Sequence, residues 1–143
     1  MSRIIPLIHA FAYALYRIKV PVIPYLIQLF IYLAFNCHVP YKLRMGKKVK
    51  FAYGGIGVVI HERAVIGDRV IIGQGVTIGG RGGASLPVIS DGVFLGAGSR
   101  ILGGVAIGEN TIVAPNAVVI NDVASDSVVG GIPARYLRKD SNS

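Results

Sequence analysis

The stretch IHERAVIGDRVIIGQGVTIG, from Ile60 to Gly79, repeats one pattern every six residues. An aliphatic residue opens each hexad, glycine often follows it, and the fifth residue is small or β-branched. The pattern resumes from Leu95 to Val118 as LGAGSRILGGVAIGENTIVAPNAV. A short fixed period of this kind is typical of a parallel β-helix, in which each coil stacks on the coil before it.

Six residues suit one short strand and one corner of such a helix. The first residue points inward, the fifth must fit inside a narrow prism, and the glycine permits the tight turn through a positive φ. Three hexads then form one triangular coil, which buries its apolar face only against neighbouring coils. The alternative is a sandwich of valine and isoleucine strands, but its turns would recur every 8–12 residues. We therefore predict an all-β fold: a parallel β-helix with an N-terminal helical segment.

Charge is distributed unevenly along the 143 residues. Residues 1–50 carry eight basic side chains and no acidic one, so the net charge of +8 belongs to this N-terminal third. Such a basic and apolar segment predicts contact with an anionic membrane surface or an acidic ligand. Nucleic acid is not an expected partner, because no nucleic-acid-binding motif accompanies the charge.

The N-terminal third is also strongly apolar. Residues 4–16 predict an amphipathic or buried helix, and the uncharged residues 20–41 are numerous enough to cross a bilayer. Pro21 and Pro24 interrupt the start of the second stretch and leave a helix from Tyr25 to His38. We expect two helices that pack on the end of the β-helix or lie on a membrane, with a membrane span as the alternative.

Few residues have the spacing of a reactive centre. Cys37 is the only cysteine, so we expect no intramolecular disulfide and a small buried thiol. His9 and His38 lie in apolar stretches and are expected to be structural. No group of His, Cys and Asp has the spacing of a metal site, and no metal is expected.

Three segments carry a resemblance to a known family: the hexads from Gly57 to Gly83, those from Pro87 to Val123, and the ending VVGGIPAR. On these motifs residues 43–139 resemble the hexapeptide-repeat acetyltransferases. The chain is similar to the serine O-acetyltransferases and to their relatives that acetylate capsular or exopolysaccharide sugars, including the colanic-acid type. Its hydrophobic helical segment resembles that of the short polysaccharide branch.

The resemblance implies a left-handed parallel β-helix and a homotrimer, with acetyl-CoA in a groove between neighbouring subunits. It also implies direct transfer of the acetyl group to an acceptor hydroxyl, with a histidine as general base. The base is needed because a neutral hydroxyl is a poor nucleophile.

The chain departs from the family at the position of that histidine, where Tyr53 or Gly54 stands, depending on the register. His61 is one candidate base, because an imidazole accepts a proton at neutral pH; the alternative is a surface imidazole on a coil corner. Tyr53 is the second catalytic candidate, positioning the acceptor through its hydroxyl. A relative that binds without acetylating is the third explanation.

Further roles follow from the resemblance. The loop between Gly79 and Pro87 is expected to flank the site, and the basic ending is expected to meet the 3′-phosphate of CoA. The residues assigned to acetyl-CoA are Gly79, Arg81, Ala97, Ser99, Pro133, Arg135 and Lys139. The residues assigned to the acceptor are Gly54 and Gln74.

These expectations define three segments and a function. Residues 1–42 form a hydrophobic basic helical segment, residues 43–139 form the β-helix acetyltransferase domain, and residues 140–143 form a disordered tail.

The expected activity is acetyl-CoA-dependent O-acetylation of a sugar hydroxyl in bacterial capsular or exopolysaccharide synthesis. The alternatives are serine O-acetylation and a non-catalytic β-helix subunit of a glycan-synthesis complex. We expect a cytoplasmic protein, with peripheral attachment to the inner face of the cytoplasmic membrane as an option.

Overall fold

The structure is a computed structural model that describes residues 1–138. Lys139 and the predicted tail, residues 140–143, lie outside the described residues. The predicted division of the chain after residue 42 stays a prediction.

Two helices open the chain: α1 (Ile4–Arg17) and α2 (Ile23–Phe35). Pro24 lies in the first turn of α2, where the missing N–H of a proline would have no intrahelical acceptor. The helix ends before the predicted His38, because Asn36 takes the left-handed conformation at φ 50°. No helix within residues 1–138 is long and apolar enough to cross a membrane.

Short strands follow the helices at intervals set by the hexads. They are β1 (Arg44–Met45), β2 (Lys50–Phe51), β3 (Val59–Ile60), β4 (Val65–Ile66), β5 (Ile71–Ile72), β6 (Thr77–Gly79), β7 (Val88–Ile89), β8 (Phe94–Leu95), β9 (Arg100–Leu102), β10 (Ala106–Ile107), β11 (Ile112–Val113), β12 (Val118–Val119), β13 (Val128–Gly130) and β14 (Arg135–Arg138).

The strands form the three faces of a prism. Face 1 contains β1, β4, β7 and β10; face 2 contains β2, β5, β8, β11, β13 and β14; face 3 contains β3, β6, β9 and β12. Neighbouring strands within a face are parallel, with Ile66 beside Ile89 on face 1 and Ile72 beside Leu95 on face 2. The exception is β14, which pairs antiparallel with β13. The predicted left-handed parallel β-helix with N-terminal helices is confirmed.

The first and fifth residues of each hexad fill the prism, as predicted. Ile66, Ile72 and Ile78 occupy first positions, Val70 and Val76 occupy fifth positions, and all five are buried. Burial of these side chains between stacked coils is the main source of stability in a repeat fold of this kind.

The glycine at the second position has a different role from the predicted one. Positive φ occurs instead at the fourth position, as at Gly98 (71°) and Asn116 (58°). A Cβ on Gly96 would lie 2.5 Å from the Pro115 nitrogen and 2.6 Å from the Val113 oxygen in the next coil. The second position is therefore glycine because neighbouring coils approach too closely for a side chain.

The N-terminal segment is fastened to the first coil by hydrogen bonds. His9 Nε2 lies 3.0 Å from the Pro40 carbonyl oxygen, and the Tyr41 N–H donates to Gln28 Oε1 at 3.0 Å. Ser2 and Phe51 exchange two backbone hydrogen bonds of 2.9 and 3.0 Å. Both helices and the chain start are thus held on the end of the prism.

Candidate functional site

A groove of about 680 Å³ lies where face 2 turns into face 3. We call it the corner groove. It brings together the predicted catalytic Tyr53, the predicted acceptor residues Gly54 and Gln74, and the predicted CoA residue Ala97. Its remaining lining residues are Met1, Ser2, Ala52, Ile71, Gly73, Phe94, Gly96 and Pro115.

Tyr53 is presented to the groove by an unusual backbone. It lies in a short 3₁₀ segment, Ala52–Gly55, directly after β2, and both Tyr53 (φ 48°) and Gly54 (φ 66°) are left-handed. The Tyr53 side chain is 80% exposed. A non-glycine residue in this conformation costs free energy unless its surroundings impose it. The segment therefore holds the phenol hydroxyl out toward the groove instead of against the core.

The hexad geometry explains why residues distant in sequence share this groove. Gln74, Ala97 and Pro115 occupy the third position of successive hexads at the same corner, so stacking places them in one column. Pro133 lies at this corner beyond the last coil, where the Ala134 N–H donates to the Val118 oxygen at 2.8 Å.

The start of the chain also lines the groove, and the sequence carried no signal for this. Met1 and Ser2 are lining residues because Ser2 pairs with Phe51, the residue just before the Tyr53 segment. Phe94 is a third lining residue that was not predicted; it is the outward residue of β8 and is 37% exposed. Only the fold reveals these contacts, since they join the chain terminus to two different coils.

Ser99 does not fit its predicted contact with acetyl-CoA. It is a fifth-position residue, so its side chain points into the prism and is 0% exposed. Its hydroxyl has no hydrogen-bond partner among the described residues. Gly96 and Ala97, earlier in the same hexad, are the members that reach the corner groove.

His61 lies at a different corner, where face 3 turns into face 1. It lines a hollow of about 360 Å³ with His38, Tyr41, Lys42 and other residues. Its Nδ1 accepts a hydrogen bond from the Arg63 N–H at 3.1 Å, which leaves Nε2 for another partner. Within one chain, the two predicted catalytic residues His61 and Tyr53 therefore lie in separate cavities.

The predicted loop residues lie at the corner of His61. Gly79 ends β6, and its carbonyl oxygen accepts a hydrogen bond from the Gly103 N–H at 2.9 Å. Arg81 is exposed and lines a shallow hollow of about 340 Å³ with Gly103, Asp122 and neighbouring residues. Arg63 holds the loop through a 3.2 Å hydrogen bond from Nη1 to the Ala84 oxygen.

Arg135 begins β14 and is exposed beside the last coil, where it pairs with Gly130. It shares this end of the prism with Pro133, the residue that the sequence also assigned to acetyl-CoA.

The corner groove contains a phenol, an amide and a hydroxyl, but its lining residues include no histidine and no carboxylate. Within residues 1–138, no three His, Cys, Asp or Glu side chains lie close enough together to hold a metal ion. The groove can therefore orient a polar substrate by hydrogen bonds, whereas an imidazole base would have to come from outside it.

Comparisons with known proteins agree with the fold. The family model "Bacterial transferase hexapeptide (six repeats)" matches residues 87–121. The serine acetyltransferase of Synechococcus elongatus is 40% identical over 132 residues, which cover 90% of this chain and 54% of that protein. The serine acetyltransferase of Staphylococcus xylosus is 38% identical over 135 residues, covering 92% of this chain and 62% of that protein.

A solved structure gives the same result. The serine acetyltransferase of Brucella abortus strain S19 in complex with coenzyme A superimposes with a TM-score of 0.87 at 32% identity. The match covers 92% of this chain and 54% of the other. The chain thus spans about half the length of the relatives that it matches.

The predicted acetylation of a sugar hydroxyl in polysaccharide synthesis is wrong on this comparison, because the relatives are serine acetyltransferases. Two features were misleading. The helical segment resembled the polysaccharide branch, yet matches covering about nine-tenths of this chain extend beyond the β-helix into that segment. The histidine expected from the family is also missing at Tyr53 or Gly54, and the hexads determine shape while they carry little information about the acceptor.

Proposed function

Because the chain belongs to the hexapeptide-repeat transferases, we propose that it is an acetyl-CoA-dependent O-acetyltransferase of the serine type. The observation that carries the proposal is the corner groove, in which Tyr53, Gly54, Gln74 and Ala97 meet. The groove lies in a fold shared with serine acetyltransferases at a TM-score of 0.87, one of them solved with coenzyme A.

In the proposed reaction the serine hydroxyl oxygen attacks the carbonyl carbon of the acetyl thioester. A base takes the hydroxyl proton, the carbon–sulfur bond breaks, and the proton passes to the departing CoA sulfur to give the thiol. Tyr53 orients the serine through its phenol hydroxyl, and backbone N–H groups at the glycine-rich corner stabilise the developing oxyanion. Ala97 and Pro133 contact the CoA chain, while Arg135 meets its phosphate end.

The proposal includes a homotrimer, because the corner groove has no base of its own. A column of apolar side chains, Ile71, Phe94 and Ile112, points outward from face 2 next to the groove. Ile112 is 42% exposed, and subunit interfaces typically bury side chains of this kind. Docking of this face would bring the corner of a neighbouring subunit, with its His61 and Arg81, opposite the groove.

A thiol-release assay tests the activity. Purified protein is mixed with acetyl-CoA and L-serine, released CoA is followed with a thiol reagent, and O-acetylserine is confirmed by mass spectrometry. Burial raises the pKa of Cys37 to about 11, so the protein's own thiol adds little background. Serine-dependent release supports the proposal. Binding of acetyl-CoA without release with serine would contradict it and would favour the non-catalytic explanation suggested by Tyr53.

A complementation experiment tests the arrangement of the site. His61→Ala should lower turnover by about 10²-fold because the base is lost, and Tyr53→Ala should lower turnover because the serine is no longer oriented. Co-expressed subunits of the two variants should recover activity, because some interfaces combine an intact Tyr53 with an intact His61. Tyr32→Phe, on an exposed tyrosine of α2, is the control. Failure of the mixture to recover activity would exclude a site shared between subunits.

We further propose that the protein works in the cytoplasm, where acetyl-CoA is available, with its helical pair on the inner face of the membrane. Leu7, Phe11, Leu26 and Phe30 form an apolar groove between α1 and α2, and each is more than half exposed. The absence of acidic residues before position 51 suits an anionic lipid surface. Flotation with anionic vesicles tests this proposal, and we expect Leu7→Asp to bind the vesicles more weakly than the wild type. A wild-type protein that does not bind the vesicles at low salt would contradict it.

A further inference from the structure

A second cavity, of about 670 Å³, lies where the C-terminal end of α1 meets the first two coils. We call it the basic pocket. It shares no lining residue with the corner groove. Its walls are Tyr13, Tyr16, Arg17, Lys19, Lys42, Arg44, Glu62, Arg63, Ala64 and Val65.

The charge of the basic pocket is not balanced. Five cationic side chains line it, Arg17, Lys19, Lys42, Arg44 and Arg63, and they face a single carboxylate, Glu62. The ion pair found within residues 1–138 joins Arg69 to Asp91, both outside the pocket. The five cations are exposed, so water and salt screen much of their mutual repulsion, and an anion bound among them would neutralise the rest.

The walls of the pocket are held in place by aromatic contacts. The rings of Tyr13 and Tyr16 lie 6.3 Å apart, and Tyr16 meets Tyr41 edge to face at 5.4 Å. Lys42 Nζ lies 5.8 Å from the centre of the Tyr41 ring. The bond between His9 and the Pro40 oxygen fixes α1 against this same segment. The cations therefore surround a space that exists before any ligand arrives, as in most small-molecule sites.

Helix stability explains only part of this charge. Arg17, in the last turn of α1, interacts favourably with the negative end of the helix dipole. The helix dipole does not stabilise three of the other cations, because none of them belongs to a helix: Lys42, Arg44 and Arg63. Their convergence on one cavity from two separate coils therefore points to a ligand.

We propose that the basic pocket binds a phosphate ligand carrying at least two neighbouring negative groups, such as a diphosphate. Arg44 supplies a planar guanidinium group that holds phosphate oxygens in pairs, Arg63 adds the donors that its bond to the Ala84 oxygen leaves free, and Lys42 adds a point charge. Tyr13 and Tyr16 offer an apolar wall for the part of the ligand that carries the phosphates. The basic pocket adjoins the hollow of His61, with which it shares Lys42 and Glu62, but phosphate binding there does not require acetyl transfer.

Titration calorimetry with inorganic pyrophosphate tests the proposal on the full chain. At about 0.1 M salt, where distant charges are screened, we expect saturable one-site binding. The double variant Lys42→Glu/Arg44→Glu should weaken it by about tenfold or more. The matched control Lys47→Glu/Lys48→Glu makes the same charge change on exposed residues outside the pocket and should change the affinity by less than about twofold. Arg63→Gln, a milder change, gives a second reading if the double variant folds poorly.

Each outcome decides the proposal. The proposal is overturned if both double variants weaken pyrophosphate binding equally. It is also overturned if the protein binds no pyrophosphate and its binding to vesicles is the same in the wild type and in Lys42→Glu/Arg44→Glu. A third outcome also overturns the proposal: Lys42→Glu/Arg44→Glu raises the KM for acetyl-CoA, and pyrophosphate competes with acetyl-CoA. The pocket would then be part of the CoA site. Vesicles with and without cardiolipin, whose headgroup carries two phosphates, identify the source of the phosphate. Vesicle binding lost in Lys42→Glu/Arg44→Glu indicates a lipid headgroup, and binding of pyrophosphate alone indicates a soluble ligand.

Discussion

Position within the hexad decides what a single residue does in this chain. The first and fifth positions face the core, the second faces the backbone of the next coil, and the third reaches the outside of a corner. Ser99 and Ala97 belong to one hexad, yet one side chain is sealed in the prism and the other lines the corner groove. Roles transferred from relatives by residue type alone therefore need this positional check.

Ser99→Ala tests the cost of the buried hydroxyl. An unpartnered buried hydroxyl keeps its desolvation penalty, so we expect the variant to gain up to about 1 kcal/mol in the free energy of unfolding. Ser127→Ala is the counterpart, because the Ser127 hydroxyl donates to the Ser125 oxygen at 3.1 Å. It should lose about 1 kcal/mol. Urea unfolding measures both, and a comparable loss in the two variants would show that Ser99 has a partner.

Gly96→Ala tests the close approach of neighbouring coils. The added methyl would lie within 3 Å of three backbone atoms of the next coil, so we expect a loss of about 2 kcal/mol or more from overpacking. Gly83→Ala provides the control, since a Cβ there has nothing within 4 Å. Thermal unfolding compares the two. Similar melting temperatures would mean that the coils separate without cost.

At the scale of elements, the periodic part of the chain was predictable and the contacts of the helices were not. Strands of two or three residues recur where the hexads place them, because each must stack on an identical neighbour. The bonds from His9 to Pro40 and from Gln28 to Tyr41 join residues 31 and 13 positions apart. No local pattern encodes such pairs, so the packing of α1 and α2 against residues 36–43 became visible only in the structure.

His9 makes the attachment of α1 sensitive to pH. Burial lowers the pKa of His9, with the bond to Pro40 opposing the shift, so the imidazole stays neutral in the folded chain. The unfolded chain binds a proton below about pH 6.5, and stability should therefore fall as the pH drops below that value toward the folded pKa.

Chemical denaturation between about pH 7.5 and pH 5 measures this dependence. His9→Gln keeps a donor for the Pro40 oxygen and should flatten the slope just below neutrality. Tyr32→Phe, on an exposed tyrosine of α2 that does not titrate in this range, should leave the slope in place. An unchanged slope in His9→Gln would assign the pH dependence to other groups.

At the scale of the whole molecule, the repeat predicted the prism, whereas the acceptor and the base could not be predicted from it. The corner groove lacks a histidine, and His61 lies at another corner of the same chain. One chain's sequence does not say which corners meet in an assembly, so the composition of the site could not be predicted from the hexads.

Ile112→Asp tests the proposed assembly. A charge in the apolar column of face 2 should prevent association, since an unpaired buried carboxylate costs several kcal/mol. Light scattering should then report the 15.2 kDa subunit instead of three times that mass. Val88→Asp makes the same change on face 1 at a similarly exposed residue and should remain trimeric. Dissociation by Val88→Asp alone would move the interface to face 1.

The reversal of direction at β14 has a consequence for solubility. A stack of parallel strands ends in open hydrogen-bonding groups, which invite a second prism to continue the ladder and polymerise into a fibre. At one end of face 2, β14 runs against β13; at the other, Ser2 bridges antiparallel to Phe51 beneath the helices. On face 2 a second prism stacked end to end would therefore meet β14 at one end and the N-terminal segment at the other, and not the open edge of a parallel coil. The N-terminal segment and β14 thus occupy the two ends of face 2, where the next coil of a fibre would otherwise stack.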